Sequence, residues 1–250
     1  MYYLKKFENH NGYQSYITGE DVLLPNVSYC VQENEVHYNP FVDPYNGHAY
    51  VDLGLPSGTK WATMNVGAES ETDYGLYFQW GDTQGYTADQ VGTGSGQKPF
   101  TWVDYKYGNG NSSPGDAGMT KYNSTDGKTV LDLEDDAVAA NWGGSWKMST
   151  EAQFQELLNT ANCTNTWTTV NGVNGRLFTS VANGNTLFLP AAGSASNGSM
   201  YTVGDEGNVW SSSLSSDYVI IARYLYFYDE DTDVDDFDRF NGLPVRGVVG

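Results

Sequence analysis

Along this chain the spacing of apolar and polar residues changes character several times, and each change predicts a different element. Alternation at 13–17, 27–31 and 35–38 predicts short strands, with Asn11-Gly12 and Pro25-Asn26 as turns. So few short strands cannot form a core alone. Residues 39–47 (NPFVDPYNG) hold two prolines among turn formers and read as a linker, so the chain is expected to divide into 1–46 and 47–250. Residues 50–53 and 60–66 flank a Pro56-Ser57-Gly58 turn and predict a strand pair, and 74–80 (YGLYFQW) predicts an aromatic-rich strand. From 81 to 128 aliphatic residues are sparse and Gly, Ser, Asn and Asp abound, the signature of a long irregular insertion, to which no function of its own is assigned.

Helical spacing follows. Leu133, Ala137 and Ala140 predict a helix over 130–140 that stops at Asn141-Trp142-Gly143. A second helix over 149–159 is better marked, because Thr150 and Gln153 form a capping-box pair and Phe154, Leu157 and Leu158 share one apolar face. The pattern then turns to strands at 166–170, 176–181 and 186–190, with Asn171-Gly172, Asn174-Gly175 and Asn183-Gly184 between them, which reads as a meander. Residues 204–209 lead into Trp210. Over 222–228 alternation puts Leu225 and Phe227 on an inward strand face and leaves Tyr224, Tyr226 and Tyr228 looking outward. The expected class is α+β: loop-rich, with two helices and short antiparallel strands, plus a small N-terminal β-rich segment.

Composition narrows the function. Apolar residues make up 39% of 250 residues and there are 19 Tyr and 7 Trp, so the chain folds despite its 29 Gly. A formal charge of −19 with only 12 Lys and Arg argues against nucleic acid and against an anionic membrane surface. No apolar run reaches the length of a membrane span, and no signal-type apolar core follows Lys5 and Lys6. Cys30 and Cys163 fall in different segments, which gives no disulfide framework. Enzyme chemistry finds little support: His10, His37 and His48 all lie in the first 48 residues, which leaves the main domain without a His for a triad unless His48 folds back, no zinc-type spacing exists, and with 31 acidic residues a carboxylate pair arises by chance. No cofactor and no metal are expected.

The last 40 residues obey a rule the others ignore. Before Ser211, Lys, Gln, Glu, Met and Trp number 38 in 210 residues; after Trp210 only Glu230 belongs to that set. Asp, Tyr, Ile, Val, Phe, Ser, Arg and Asn fill the space instead, around a frame of Trp210, Ala222, Leu225, Phe227, Val234, Arg239, Gly242, Val245 and Arg246. An Asn codon AAC randomised at its two adenines yields this alphabet and never Lys, Gln, Glu, Met or Trp; Glu230 is the departure. The frame W-S-S-S-L, A-x-x-L-x-F, V, R-x-x-G and V-R resembles the variable segment of proteins diversified by retroelements with adenine-directed mutagenesis, many of them from Bacteroides and their phages. The likeness extends over roughly residues 48–250, most specifically at 48–68, 141–158 and 210–250.

The resemblance implies a C-type-lectin-like fold of the formylglycine-generating-enzyme type, with a ligand-contact surface in a variable region at about 217–243. The enzymes of that type use a pair of reactive cysteines; Cys163 is the only cysteine after residue 48, so their activity is not carried over. The ligand-contact positions it implies are Tyr218, Ile220, Ile221, Arg223, Tyr224, Tyr226, Tyr228, Asp231, Asp233, Asp235, Asp236, Phe237, Asp238, Phe240, Asn241 and Leu243. Such a protein would bind a protein or glycan receptor on a target cell surface, from a phage tail or a bacterial surface, without nucleic acid or membrane insertion. The leader 1–46 reads as an attachment or homo-oligomerisation segment, or as a piece docked on the main domain. A fixed-specificity carbohydrate-binding adhesin and a structural virion protein are the alternatives. Asp229, Asp231, Asp233 and Asp235 recur at every second position, but Val234 and Phe240 stand where an EF-hand needs Gly and Glu, so the run reads as an acidic loop. From Ser211 onward eight acids face three bases, a net of −5, which favours a basic or neutral ligand. Arg246 is expected to be a structural ion-pair partner near the Trp210 strand.

Overall fold

The computed structural model describes residues 45–250 and, before them, the backbones of four strands: β1 (Phe7–Glu8), β2 (Gln14–Ser15), β3 (Ser28–Gln32) and β4 (Glu35–Asn39). The chain forms two compact units, Met1–His48 and Ala49–Gly250. In the first, β1 pairs antiparallel with β2, and β3 with β4. The turns expected at Asn11-Gly12 and Pro25-Asn26, and most of the linker 39–47, lie outside the described residues.

The second unit is α+β, built of small antiparallel sheets and two α-helices. In chain order it holds β5 (Tyr50–Asp52), β6 (Lys60–Asn65), α1 (Ala137–Trp142), β7 (Lys147–Met148), α2 (Glu151–Leu158), β8 (Cys163–Val170), β9 (Val173–Ser180), β10 (Thr186–Pro190), β11 (Ser194–Ser196), β12 (Ser199–Tyr201), β13 (Gly207–Leu214), β14 (Ile221–Phe227), β15 (Thr232–Asp238) and β16 (Arg246–Val249). Strands β5-β6-β16-β7 form one sheet, so the last strand is hydrogen-bonded between two earlier ones. The meander β10-β9-β8 forms a second sheet and β13-β14-β15 a third. Trp61, Phe154, Leu157, Phe178, Leu189, Val209, Leu225, Phe227 and Val248 pack into a shared core beneath them, and the free thiol of Cys163 is buried there. Among the described residues no helix is long and apolar enough to cross a membrane.

Local chemistry explains where elements begin. Helix α2 starts where its capping box closes: Thr150 Oγ1 accepts from Gln153 N, and Gln153 Oε1 accepts from Thr150 N. Helix α1 is shorter and later than its apolar spacing suggests. Asp136 caps it by accepting from Val138 N and Ala139 N, leaving Leu133 exposed outside, and the helix runs through Asn141 and Trp142 to Gly143 at φ 65°. Asn171-Gly172 is the expected hairpin turn, with both residues at positive φ. Asn174-Gly175 is not a turn but lies inside β9; a Cβ on Gly175 would come within 2.3 Å of Leu189 O, so that glycine serves a close strand approach. The aromatic stretch 74–80 is not a regular strand either. It makes single bridges, Tyr77 to Tyr86 and Phe78 to Leu243, and buries Tyr77, Phe78 and Trp80.

The insertion 81–128 is more than a loop. Tyr105, Tyr107 and Tyr122 are buried in an edge-to-face series, tied down by Asp135. Asp135 takes Lys121 Nζ at 2.5 Å, Tyr122 OH at 2.6 Å and Lys106 Nζ at 2.9 Å. Burial pushes the Asp135 carboxyl up, but hydrogen bonds from Lys121, Tyr107, Tyr122 and Lys106 outweigh it and hold the pKa well below the usual carboxylate range. A depressed carboxylate pKa stabilises the fold above the unfolded value and loses that contribution as pH falls through the folded one. Asp135→Asn should therefore cost about 3 kcal/mol at neutral pH. Urea unfolding across the acid range should show the wild-type advantage shrinking below about pH 4; a constant difference from neutral pH to pH 2 would contradict it.

Candidate ligand-contact face

The candidate surface lies on the β13-β14-β15 sheet, where β14 runs between two antiparallel neighbours. Register sets Leu225 opposite Val209 and Val234, and these join Phe227 in the core. It sets Tyr226 opposite Asn208 and Asp233, and Tyr224 opposite Trp210 and Asp235, on the other face. Tyr224, Tyr226 and Tyr228 form a row there, with ring centroids 6.2 Å and 5.5 Å apart. Glu206 flanks the row on one side, its Oε1 3.5 Å from Tyr226 OH; the aspartates of β15 flank it on the other.

What sequence reasoning treats as an acidic loop is largely strand β15, the edge of this sheet. Among the described residues no strand lies beside its outward amides, and three of them find the carboxylate of the residue before. Thr232 N bonds Asp231 Oδ1 at 2.8 Å, Val234 N bonds Asp233 Oδ1 at 2.7 Å, and Asp236 N bonds Asp235 Oδ1 at 2.8 Å. The two-residue recurrence that resembles a calcium loop is thus an edge-capping pattern, which satisfies donors and places charge where another strand would pair. Among the described residues, the carboxylates close enough together to share a metal ion are Asp132, Glu134 and Asp135. The ammonium of Lys121 already sits within 2.8 Å of all three.

The frame residues lie underneath. Trp210, Ala222, Leu225, Phe227, Val234, Arg239, Gly242, Val245 and Arg246 are all buried. A Cβ on Gly242 would fall 2.3 Å from the Phe100 ring, so only glycine fits there. Arg239 donates from Nε to Tyr105 OH, from Nη1 to the carbonyls of Tyr122 and Val219, and from Nη2 to that of Lys121, and its guanidinium lies 4.7 Å from the Trp80 ring centroid. Arg246 differs from expectation. Among the described residues it enters no ion pair and donates to neutral acceptors, Asn65 Oδ1 and the carbonyls of Ala62 and Phe188, and burial lowers its pKa to about 9, which leaves it charged at neutral pH.

The sixteen expected contact positions do not all reach the surface. Tyr218, Asp231, Asp233 and Asp235 are exposed, Tyr218 by 58%. Ile220, Ile221, Arg223, Tyr226, Tyr228, Asp236, Phe237 and Asp238 are half-buried, whereas Tyr224, Phe240, Asn241 and Leu243 are buried. Tyr224 is covered because its ring stacks on Phe237 at 5.3 Å and abuts Trp210. Phe240 packs on Trp102 at 4.9 Å, Asn241 Nδ2 bonds Asp238 O, and Leu243 exchanges backbone hydrogen bonds with Phe78. Arg223 and Asp236 lie on the sheet face opposite the tyrosines. Arg223 pairs with Asp236 at 3.0 Å and with Glu151 of α2 at 3.0 Å, so both charges are spent inside the fold.

Two participants carry no local sequence signal. Arg176 in β9, itself buried, donates from Nη2 to the carbonyls of Tyr228 and Asp231 and thereby holds the β14–β15 turn. Its partners lie more than fifty residues away, beyond any periodicity argument. Glu206, beside Tyr226, is the other. No known family, curated protein or solved structure matches this chain.

Edge capping makes a measurable claim. In Asp233→Ala/Asp235→Ala the amides of Val234 and Asp236 lose their acceptors and should exchange with solvent about tenfold faster or more by NMR. Asp233→Asn/Asp235→Asn, which retains a side-chain oxygen, should stay near wild type. Equal protection in all three proteins would show that the carboxylates cap nothing.

Proposed function

We propose that this chain is a non-enzymatic binding protein whose C-terminal sheet face is its ligand-contact surface, diversified by adenine-directed retroelement mutagenesis. The scaffold is of the C-type-lectin-like, formylglycine-generating-enzyme type, carried on a phage tail or a bacterial surface for adhesion to a receptor on a target cell. One observation carries the reading: the frame residues that interrupt the restricted alphabet after Trp210 are all buried, while twelve of the sixteen positions between them retain exposure. A fixed buried frame under variable exposed positions is how a paratope keeps its fold while changing its ligand. The pairing of the last strand between β6 and β7 supports it, since it fixes the end of the variable region in the sheet. The absence of His after residue 48 agrees with a role without acid-base catalysis.

A second reading, a carbohydrate-binding adhesin of fixed specificity, is favoured by the burial of Tyr224, Asn241 and Leu243, where substitution is not free. Sequencing the encoding locus separates the two. The diversified reading expects a nearby reverse-transcriptase frame and a near-copy of the nucleotides for residues 211–250, differing only where the copy has adenine. Sister copies with identical residues at 218–243 and no near-copy would overturn it in favour of the adhesin.

A further inference from the structure

The tyrosine row is flanked on both sides by carboxylates. Asp231, Asp233 and Asp235 stand along one flank, each held in place by its Oδ1 bond to the following amide while Oδ2 takes part in no such bond. Glu206 stands on the other flank, at the hydroxyl of Tyr226. Carboxylates donate nothing, and the phenol faces are themselves regions of negative potential.

Among the described residues the one guanidinium near them is that of Arg176, which feels the charge of Asp231 but is buried beneath the turn. Among the described residues these four carboxylates enter no ion pair. Arg223 is spent on Asp236 and Glu151 on the opposite face, Arg239 and Arg246 are fully buried, and Arg176 is buried with its Nη2 donating to carbonyls. The phenol of Tyr226 registers this field: burial raises its pKa first, and Glu206, Tyr228 and Asp231 raise it further. An anionic sugar is repelled, and a neutral one gains nothing from the four negative charges. Lysine ammonium and arginine guanidinium groups are donors only and are attracted both to carboxylates and to tyrosine faces.

We propose that this face takes an extended basic segment of a partner protein, with Lys or Arg side chains laid on Tyr226 and Tyr228 and paired with Asp231, Asp233, Asp235 and Glu206. Spacing favours an extended segment: alternate side chains on a strand recur at about 6.5–7 Å, near the 5.5 Å between the Tyr226 and Tyr228 rings. This deepens the reading of the sheet face as the ligand-contact surface and rests on it.

The test uses the full chain and a fluorescent octapeptide alternating Arg with Ser, followed by polarisation at physiological salt, with an alternating Glu-Ser octapeptide as the anionic counterpart. The basic peptide should bind saturably and the acidic one not at all. Tyr226→Leu/Tyr228→Leu and Asp233→Asn/Asp235→Asn should each weaken binding about tenfold or more, the second while keeping its edge caps. Glu69→Gln/Asp89→Asn removes the same charge from exposed positions elsewhere and should change affinity less than about twofold. Thermal unfolding of each variant verifies that it is folded. Equal weakening by all three variants would show diffuse attraction to an acidic protein and overturn the proposal, as would failure of the basic peptide to bind. Either failure leaves the diversified-binder reading standing on its locus, whereas a locus without a near-copy removes diversification whatever the peptide does.

Discussion

The structure depends most on one buried guanidinium. Arg239 leaves the end of β15 and enters a chamber walled by Trp80, Tyr105 and Tyr122, where its charge is met by a phenol oxygen, three carbonyl dipoles and the aromatic faces around it. Those acceptors come from two distant stretches of chain: the insertion, through Tyr105, Lys121 and Tyr122, and the segment before β14, through Val219. Desolvating such a charge is tolerable only with its donors satisfied, so both stretches must close on Arg239 together or not at all. The long insertion thus becomes the clamp that fixes the C-terminal hairpin from below.

With the hairpin clamped, its two faces divide the work. One supplies Leu225, Phe227 and Val234 to the core; the other holds the tyrosines in a row and the aspartates along a capped edge. Arg176 fixes the turn from the neighbouring sheet, and Arg223 ties the same strands to α2. Each of these arginines serves the scaffold, which is why the exposed part of the surface is so uniformly acidic. Rigidity beneath and freedom above are compatible because the frame side chains and the surface side chains alternate along the same strands.

Sequence made much of this legible where chemistry was local. Helix α2 announced itself through its capping box, and the alternation of 222–228 gave the correct inward pair. Helix α1 was displaced because the Asp136 cap outweighs apolar spacing that begins earlier. Strand β15 was hidden by its composition: aspartate is depleted in strands, yet here it satisfies edge amides that elsewhere need a neighbour. Alternation shows the outward direction of the tyrosine row but not the covering of its first member, because Trp210 and Phe237 approach Tyr224 from other strands. Arg176 and the clamp around Arg239 rest on contacts between distant segments, which no periodicity records.

The central claim is that stability resides in the buried frame and not in the surface positions between its members. Thermal and urea unfolding of two proteins tests it directly. One carries Tyr218→Ser, Tyr226→Asn, Tyr228→Asn, Asp231→Asn, Asp233→Asn and Asp235→Asn together; the other carries Arg239→Met alone. The six surface changes should cost no more than about 2 kcal/mol in sum, whereas Arg239→Met, which strands a phenol and three carbonyls, should cost about 4 kcal/mol or prevent folding. A six-fold variant that unfolds while Arg239→Met stays near wild type would contradict the account.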